Sequence, residues 1–596
     1  MLTRVHHVVR VISCLLPVLH LAQAQNKTCP SSPSRPTAST CRNIPGDPDW
    51  PSPSDWSQLN ETVQGRLIAT VPQASVCHHG PYDAYDEEAC RALKAGWDFA
   101  QTFELKPAEI INAAFQNQSC DPFTPAEKPC ELGNYVSYSI NVTGADDIRA
   151  GIDFSREKNV RLVIKNTGHD YMGKSTGKGG LALWTHNLKF ISILDDYKSP
   201  SYNGPAAKVG AGVISGELYA AVAAKGYRAV GGTCASVGVA GGWASGGGHS
   251  LLTGLYGMGA DNVLEWEVIL ADGRHILATP NNEYSDLYWA MSGGGGGVWG
   301  VVLSMTTKIF PDGEVGGARL FFNASNIDPD TYWKAIEEWY LFLPSYTDGL
   351  GGGNTVEYMI NAVSFSGISF TVPNGGAAGV DTLLKPYLST LDNLNISYTY
   401  ASHSSPNYYD HFEADFGPLP YGPYPANTLF SNRLFPRSIS ENKETNAILV
   451  NTIRNMTLYE NGVFWMGCES LRVNRTATSH PDNAVNPAWT DTLGICTVIS
   501  YWDWSIPRED MLRRKHHLVD EIVPAFEEIT PGAASYLNEV DSFYHGDWKK
   551  EFYGEGMYEK LEVVKAKYDS EGLFYAYTGV GSDKWREDGE GRICKV

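Results

Sequence analysis

Two glycine-rich stretches constrain this chain more than anything else in it. They are Lys165-Asn-Thr-Gly-His-Asp-Tyr-Met-Gly173 and Gly231-Gly-Thr-Cys-Ala-Ser-Val-Gly-Val-Ala-Gly-Gly-Trp-Ala-Ser-Gly-Gly-Gly248. Each frames one nucleophilic side chain, His169 in the first and Cys234 in the second. Glycine lets backbone N–H groups approach a ligand with no Cβ in the way, so such loops suit a phosphate or a flat ring. Taken singly, each has a plainer explanation: a histidine in a glycine loop is usually a turn residue, and a cysteine beside glycines a small buried hydrophobe. Taken in order, they predict one ligand held between them.

A nicotinamide site is disfavoured. Val209-Gly-Ala-Gly-Val-Ile-Ser-Gly216 approaches the dinucleotide fingerprint, but its third glycine falls one residue late and no ribose-binding acid follows a second strand. It reads instead as a strand end entering a helix over 217–225, rich in alanine. No Gly-x-Ser-x-Gly elbow supports a hydrolase.

The two loops continue into Leu255-Tyr-Gly-Met-Gly-Ala-Asp-Asn262, Trp289-Ala-Met-Ser-Gly-Gly-Gly-Gly-Gly-Val-Trp-Gly300, and a C-terminal block of Tyr536-Leu-Asn538 with Gly572-Leu-Phe-Tyr575. On these motifs the chain resembles the vanillyl-alcohol-oxidase flavoproteins, and within them the berberine-bridge-enzyme-like oxidases. The fungal isoamyl-alcohol-oxidase-like subgroup shares its Asn-Thr-Gly-His-Asp-Tyr and Tyr-Leu-Asn-Glu forms.

The resemblance implies an α+β fold, with a PCMH-type FAD-binding domain of two α+β subdomains and a substrate domain built on an antiparallel sheet backed by helices. It implies FAD bonded through the flavin 8α carbon to His169 and through ring carbon 6 to Cys234. The cofactor contacts carried over are Asn166, Thr167, Gly168, Asp170 and Gly173 in the first loop. Gly232, Thr233, Val237, Gly238, Gly241, Gly242 and Gly248 follow in the second, then Asp261, Asn262, Val301 and Asn538.

In such proteins the flavin carries the hydride chemistry, while protein groups aim the substrate C–H and accept the hydroxyl proton. Valine three residues after the flavin cysteine, here Val237, is associated with oxygen access and so with an oxidase releasing hydrogen peroxide. The sugar oxidases of the family carry a second tyrosine in a Tyr-x-Asn-Tyr block. Here the block reads Tyr536-Leu-Asn-Glu539, which puts the sugar mechanism in question and makes Glu539 the candidate base, beside Tyr536. Asp410 and His411 in an aromatic stretch are the second candidates. An oligosaccharide oxidase, or a flavin-loaded protein that binds or transfers electrons without turnover, are the alternatives.

A formal charge of −21 disfavours nucleic acid and anionic membranes, leaving a small-molecule substrate and O2 as expected partners of a monomer. Residues 1–24 read as a secretory signal, with Arg4 and Arg10, a short apolar run from Val11, and Ala22-Gln-Ala24. Asn-x-Ser/Thr sequons at Asn26, Asn60, Asn117, Asn141, Asn323, Asn395, Asn455 and Asn474 agree with secretion.

Outside the signal and Cys234 stand nine cysteines, an odd set for an oxidising compartment. Local staples Cys29–Cys41, Cys77–Cys90 and Cys120–Cys130 are expected. No Cys-x-x-Cys or His-x-x-x-His cluster accompanies them, so no metal is expected. The layout is an extended arm over 25–60 within an N-terminal region to 125, a flavin domain over 126–315, a substrate domain over 316–525, and a tail over 526–596 that returns to the flavin domain.

Overall fold

The two glycine loops leave the ends of strands in two different sheets of the computed structural model, which describes residues 41–423, 426–473, 475 and 479–596. The signal-like segment, Asn26, Cys29 and Asn474 lie outside these residues.

The first sheet has the order β1-β2-β4-β3, from β1 (Leu67–Ala69), β2 (Tyr138–Asn141), β3 (Leu162–Lys165) and β4 (Leu181–Trp184). β2 and β3 run parallel to β4 and flank it, and the helix Ala145–Glu157 makes the crossover from β2 to β3. That helix buries Ile148, Ile152 and Phe154 beneath the sheet. Its Asp147 accepts from Arg66 at 2.5 Å.

Residues 41–60, the described part of the 25–60 stretch, depart from the extended arm expected of it. Residues Pro53–Thr62 form a helix, started by Ser52, whose hydroxyl accepts from the Asp55 N–H while Asp55 reaches back to the Ser52 N–H. Pro53 stands at the first turn, where a missing N–H costs nothing. Serine and proline that looked like loop composition are a cap and a helix start. Trp56 stacks on Tyr138 at 4.0 Å and fastens this helix to the sheet.

The second sheet comprises β5 (Ile191–Lys198), β6 (Asn203–Gly210), β7 (Tyr227–Ala229), β8 (Val263–Ile269), β9 (His275–Ala278) and β10 (Val301–Pro311). Its order is β5-β6-β10-β8-β9, with β7 also on β10, and every pairing is antiparallel.

The third sheet holds β11 (Val315–Asn323), β12 (Thr355–Ile360), β13 (Ser364–Pro373), β14 (Tyr398–Ser405), β15 (Thr428–Pro436), β16 (Trp465–Ser470) and β17 (Thr492–Tyr501). It is antiparallel throughout, in the order β14-β11-β13-β12-β16-β17-β15. The helices Pro329–Asp348, Gly376–Asn393 and Lys443–Thr457 bury Trp339, Tyr387 and Ile453 in the core they share with it. The apolar run from Glu357 to Phe365 is a hairpin, because the Asn361 side chain accepts from the Val363 and Ser364 N–H groups and turns the chain.

The tail packs against the stretch that ends the five-glycine run. The buried Lys565 ammonium donates to Val298 O at 2.6 Å, Phe574 O at 2.8 Å and Asp569 at 2.6 Å, which locks the last helix beside the strand that follows the five-glycine run. Disulfides join Cys77 to Cys90 and Cys120 to Cys130, as expected, and Cys468 to Cys496 across β16 and β17. Cys41 corrects the expectation. It bonds Cys594, 553 residues away, because the backbone at these two residues pairs in an isolated antiparallel bridge.

Closing so long a loop removes much entropy from the unfolded chain. Cys594→Ser should therefore lower stability by about 2–5 kcal/mol, and by more than Cys120→Ser, which opens a loop of only 10 residues. Guanidinium unfolding midpoints of the two variants measure this, and equal shifts would contradict it.

Candidate active site

The loop after β3 and the loop after β7 face each other across one cavity of about 370 Å³, whose lining includes His169, Cys234 and Glu539. They touch where Gly238 meets Asn166. A Cβ on Gly238 would stand 2.4 Å from Asn166 Nδ2, a nitrogen that donates to Ala211 O at 2.6 Å. Asn166 Oδ1 is left buried with no hydrogen-bond partner.

His169 and Cys234 share a neighbour. The Ser236 hydroxyl lies 2.7 Å from His169 Nε2 and 3.5 Å from Cys234 Sγ. Glu104, fully buried, sits 3.0 Å from the same Nε2. A carboxylate there makes Nε2 the protonated nitrogen, which leaves the lone pair on Nδ1. Burial pushes the Cys234 thiol up to about 12, so it rests protonated at neutral pH.

The second focus is a charged relay. His249 Nδ1 is 3.0 Å from Glu469 Oε2, and His249 Nε2 is 3.0 Å from Glu539 Oε1. Thr233 Oγ1 donates to the same Glu469 oxygen at 2.7 Å. Burial alone would lower the imidazole, but the two carboxylates outweigh it and hold His249 well above the usual histidine range. Both ring nitrogens then carry protons, and each donates to one carboxylate. Three parts of the chain supply this triad: the loop after β7, β16, and the tail.

Asn432 on β15 positions the tail, since its side chain accepts from Tyr536 N at 2.8 Å and donates to Tyr536 O at 2.9 Å. Tyr536 and Asn538 also face the cavity, and the Asn538 amide donates to the Tyr536 hydroxyl at 2.7 Å. Burial, helped by Glu539, raises the Tyr536 phenol above its ordinary value and keeps it neutral.

Asn166, Thr167, Gly168, Asp170, Thr233, Val237, Gly238, Gly241 and Gly242 all line the cavity. Gly173, Gly232, Gly248, Asp261, Asn262 and Val301 do not; they build its frame. Gly173 turns at φ +74° against Phe115, and Gly248 at φ +76° against Trp243. The Gly232 N–H donates to Ser215 Oγ at 3.0 Å. Asp261 is buried with Arg475 at 2.9 Å, Asn262 donates to backbone carbonyls, and Val301 lies in the core of the first sheet.

Asp410 and His411 are corrected as base candidates. Both sit on the helix Tyr408–Phe416, away from the cavity lining. Asp410 accepts from Asn407 at the exposed helix start, and His411 is buried against Thr371. The aromatic residues around them fill the core rather than a substrate lid.

Glu104, Ser236, His249 and Glu469 carry chemistry that the sequence reading passed over. His249 had a local signal, directly after the Gly246–Gly248 triplet. Glu469 and Glu104 had none, because only folding brings them to the loops.

The chain matches the family model "FAD binding domain" over residues 137–279 and "Berberine and berberine like" over residues 535–581. It is 49% identical over 586 residues to the bifunctional decalin synthase calF of Penicillium decumbens, covering 98% of both chains. It is 46% identical over 559 residues to the VAO-type flavoprotein oxidase VAO615 of Thermothelomyces thermophilus, covering 94% of this chain and 96% of that one. The crystal structure of MtVAO615 from Myceliophthora thermophila superposes with a TM-score of 0.89 at 46% identity, over 94% of this chain and all of the other. The chain therefore belongs to the vanillyl-alcohol-oxidase-type, berberine-bridge-like FAD-linked oxidoreductases.

The residues present fit FAD. The cavity has a wall of glycines, and a Cβ on Gly242 would meet nothing within 4 Å. It offers the unpartnered Asn166 oxygen to a donor, and it sets His169 and Cys234 on either side of one hydroxyl. Loop 166–170 and loop 233–242 would hold the cofactor.

A group whose folded pKa is raised stabilises the fold below its unfolded pKa, near 6.5 for histidine, and loses that contribution as pH rises through the folded value. The melting-temperature gap between the parent and His249→Asn should thus be full near pH 6 and narrow in alkaline buffer. Thermal melts across pH check this, and a gap that widens with pH would contradict it.

Proposed function

We propose that this protein is a secreted oxidase with FAD bonded to His169 and Cys234, which oxidises a hydroxyl-bearing carbon of a small molecule and reduces O2 to H2O2. The observation that carries the reading is Glu539, held by charged His249 in the same cavity as His169 and Cys234. The bound flavin supplies the two-electron acceptor that takes the substrate hydride and passes the electrons to O2.

Glu539 accepts the hydroxyl proton. Its Oε1 is engaged by His249, while Oε2 has no partner among the described residues, and the side chain is 23% exposed. Two carboxylates and one imidazolium carry one net negative charge, and a proton on Glu539 brings the triad to neutrality.

Support for the substrate class comes from the sheet face opposite the loops. Met359, Ile368, Phe430, Trp465, Ile499 and Tyr501 line the cavity, and Tyr171 stacks on Phe430 at 4.5 Å. Such walls bind an alcohol with an apolar or aromatic body, and only a few polar groups orient it. Val237 on the lining supports reaction with oxygen. Secretion is supported by four disulfides and by exposed sequon asparagines at Asn117, Asn323, Asn395 and Asn455.

Two experiments test the reading. Acid-precipitated protein should retain its yellow colour, and the double variant His169→Ala with Cys234→Ala should release it. Glu104→Gln, which removes the charge holding the Nδ1 lone pair in place, should lower the histidyl-linked fraction by peptide mass mapping while the cysteinyl bond persists. Release of all flavin from the unaltered protein would refute the covalent reading.

A peroxide-coupled screen of aromatic, aliphatic and saccharide alcohols finds the accepted class. On the substrate found, Glu539→Gln should slow anaerobic flavin reduction by about 10²–10⁴-fold with the flavin still bound. A rate within about threefold of the parent, well short of what a lost base costs, would remove Glu539 from the role.

A further inference from the structure

A second grouping of ligand-type side chains lies away from the flavin cavity, at the edge of the substrate sheet. His403 comes from edge strand β14, and His411 and Asp415 stand one turn apart on the helix Tyr408–Phe416. One ring nitrogen from each histidine and a carboxylate oxygen of Asp415 all lie within 4.8 Å of one another. His403 Nε2 is 3.9 Å from Asp415 Oδ1, and His411 Nδ1 is 3.8 Å from Oδ2. These separations are too long for hydrogen bonds. Both nitrogens are buried and have no hydrogen-bond partner, and His411 is 0% exposed.

The surroundings prepare these atoms to be ligands. The far nitrogen of His411, Nε2, pairs with Thr371 Oγ1 at 2.9 Å, and as donor to that hydroxyl it leaves the Nδ1 lone pair facing the cluster. Ser369 Oγ donates to Asp415 Oδ2 at 2.7 Å and holds the carboxylate.

Room for the two rings comes from Gly317 on β11, which the register sets opposite His403. A Cβ there would stand 2.4 Å from His403 Nε2 and 3.0 Å from His411 Nδ1. The competing cation is Arg319, 3.6 Å from Asp415 Oδ1, whose side chain is 59% exposed and whose Nη2 donates to Ala414 O at 2.9 Å, so a bound ion would displace only its contact with the carboxylate.

We propose that His403, His411 and Asp415 form a binding site for a divalent transition metal of the zinc type, separate from the flavin cavity. Two imidazoles and one carboxylate match the ligand set of tetrahedral Zn2+, with a fourth position for water. Bonds of about 2.0–2.1 Å need ligand atoms slightly closer than these, a contraction that the half-exposed His403 supplies. A bound ion would tie the sheet edge to the helix.

The test uses untagged, flavin-loaded protein dialysed against a chelator. Titration with Co2+ should give one equivalent bound per chain and a visible band at longer wavelength than flavin absorption. Zn2+ should displace the band and raise the melting temperature. His403→Ala and Asp415→Asn should each abolish the band and the Zn2+ shift, while flavin absorption and the melting temperature in chelator stay at parent values. His403→Ala, on the half-exposed ring, keeps the test valid if Asp415→Asn fails to fold. Absence of the band in the parent, or a band of parent intensity in His403→Ala, would overturn the proposal.

Discussion

Much of this molecule depends on one imidazole shared by two carboxylates. His249 joins the glycine loop of the flavin domain to Glu469 of the substrate sheet and to Glu539 of the tail. Either acid alone, taken into the cavity, would bear the full cost of burying a charge. The imidazolium between them offsets that cost twice, and the Coulomb attraction of two near carboxylates outweighs the desolvation that would strip its proton. A buried triad of this kind tolerates little displacement, so the three parts of the chain are held in one relation at the place where chemistry is needed.

The rest of the tail is built to deliver Glu539 there. Asn432 grips both sides of the Tyr536 backbone, Lys565 is surrounded by three acceptors from different segments, and Cys41 closes the chain onto Cys594. None of these contacts touches a reacting atom. Each removes freedom from the segment that carries Glu539 and so fixes where its carboxylate stands.

What could be read from the sequence was what is local. The turns around His169 and Cys234 depend on glycines a few residues away, and those residues do face one cavity. Strands and helices with clear periodicity fell close to their places. Long-range pairing was not legible: Cys41 lies near Cys29 in the chain but beside Cys594 in space. Glu469 sits in β16, with no sign in its neighbours that it will meet His249. Asp410 and His411 show the converse error, since an acid, a histidine and aromatic neighbours resemble a catalytic pair, whereas Asp410 stands at an exposed helix start and neither residue lines the flavin cavity. Ser52 and Pro53 show that composition misleads where one capping position decides.

The apolar sheet face and the charged triad belong to one design. A wall of Phe430, Ile499 and Trp465 excludes water and lowers the local dielectric, which strengthens every remaining charge interaction. In this cavity Glu539 shares His249 with Glu469, so one imidazolium is the cation against which both carboxylates are held. His249 holds the Glu539 carboxylate through Oε1 and leaves Oε2 with no partner among the described residues. Glu469 completes the arrangement, for without it the Nδ1–H of the His249 imidazolium would lose its acceptor and the ring one of the two charges that hold its proton.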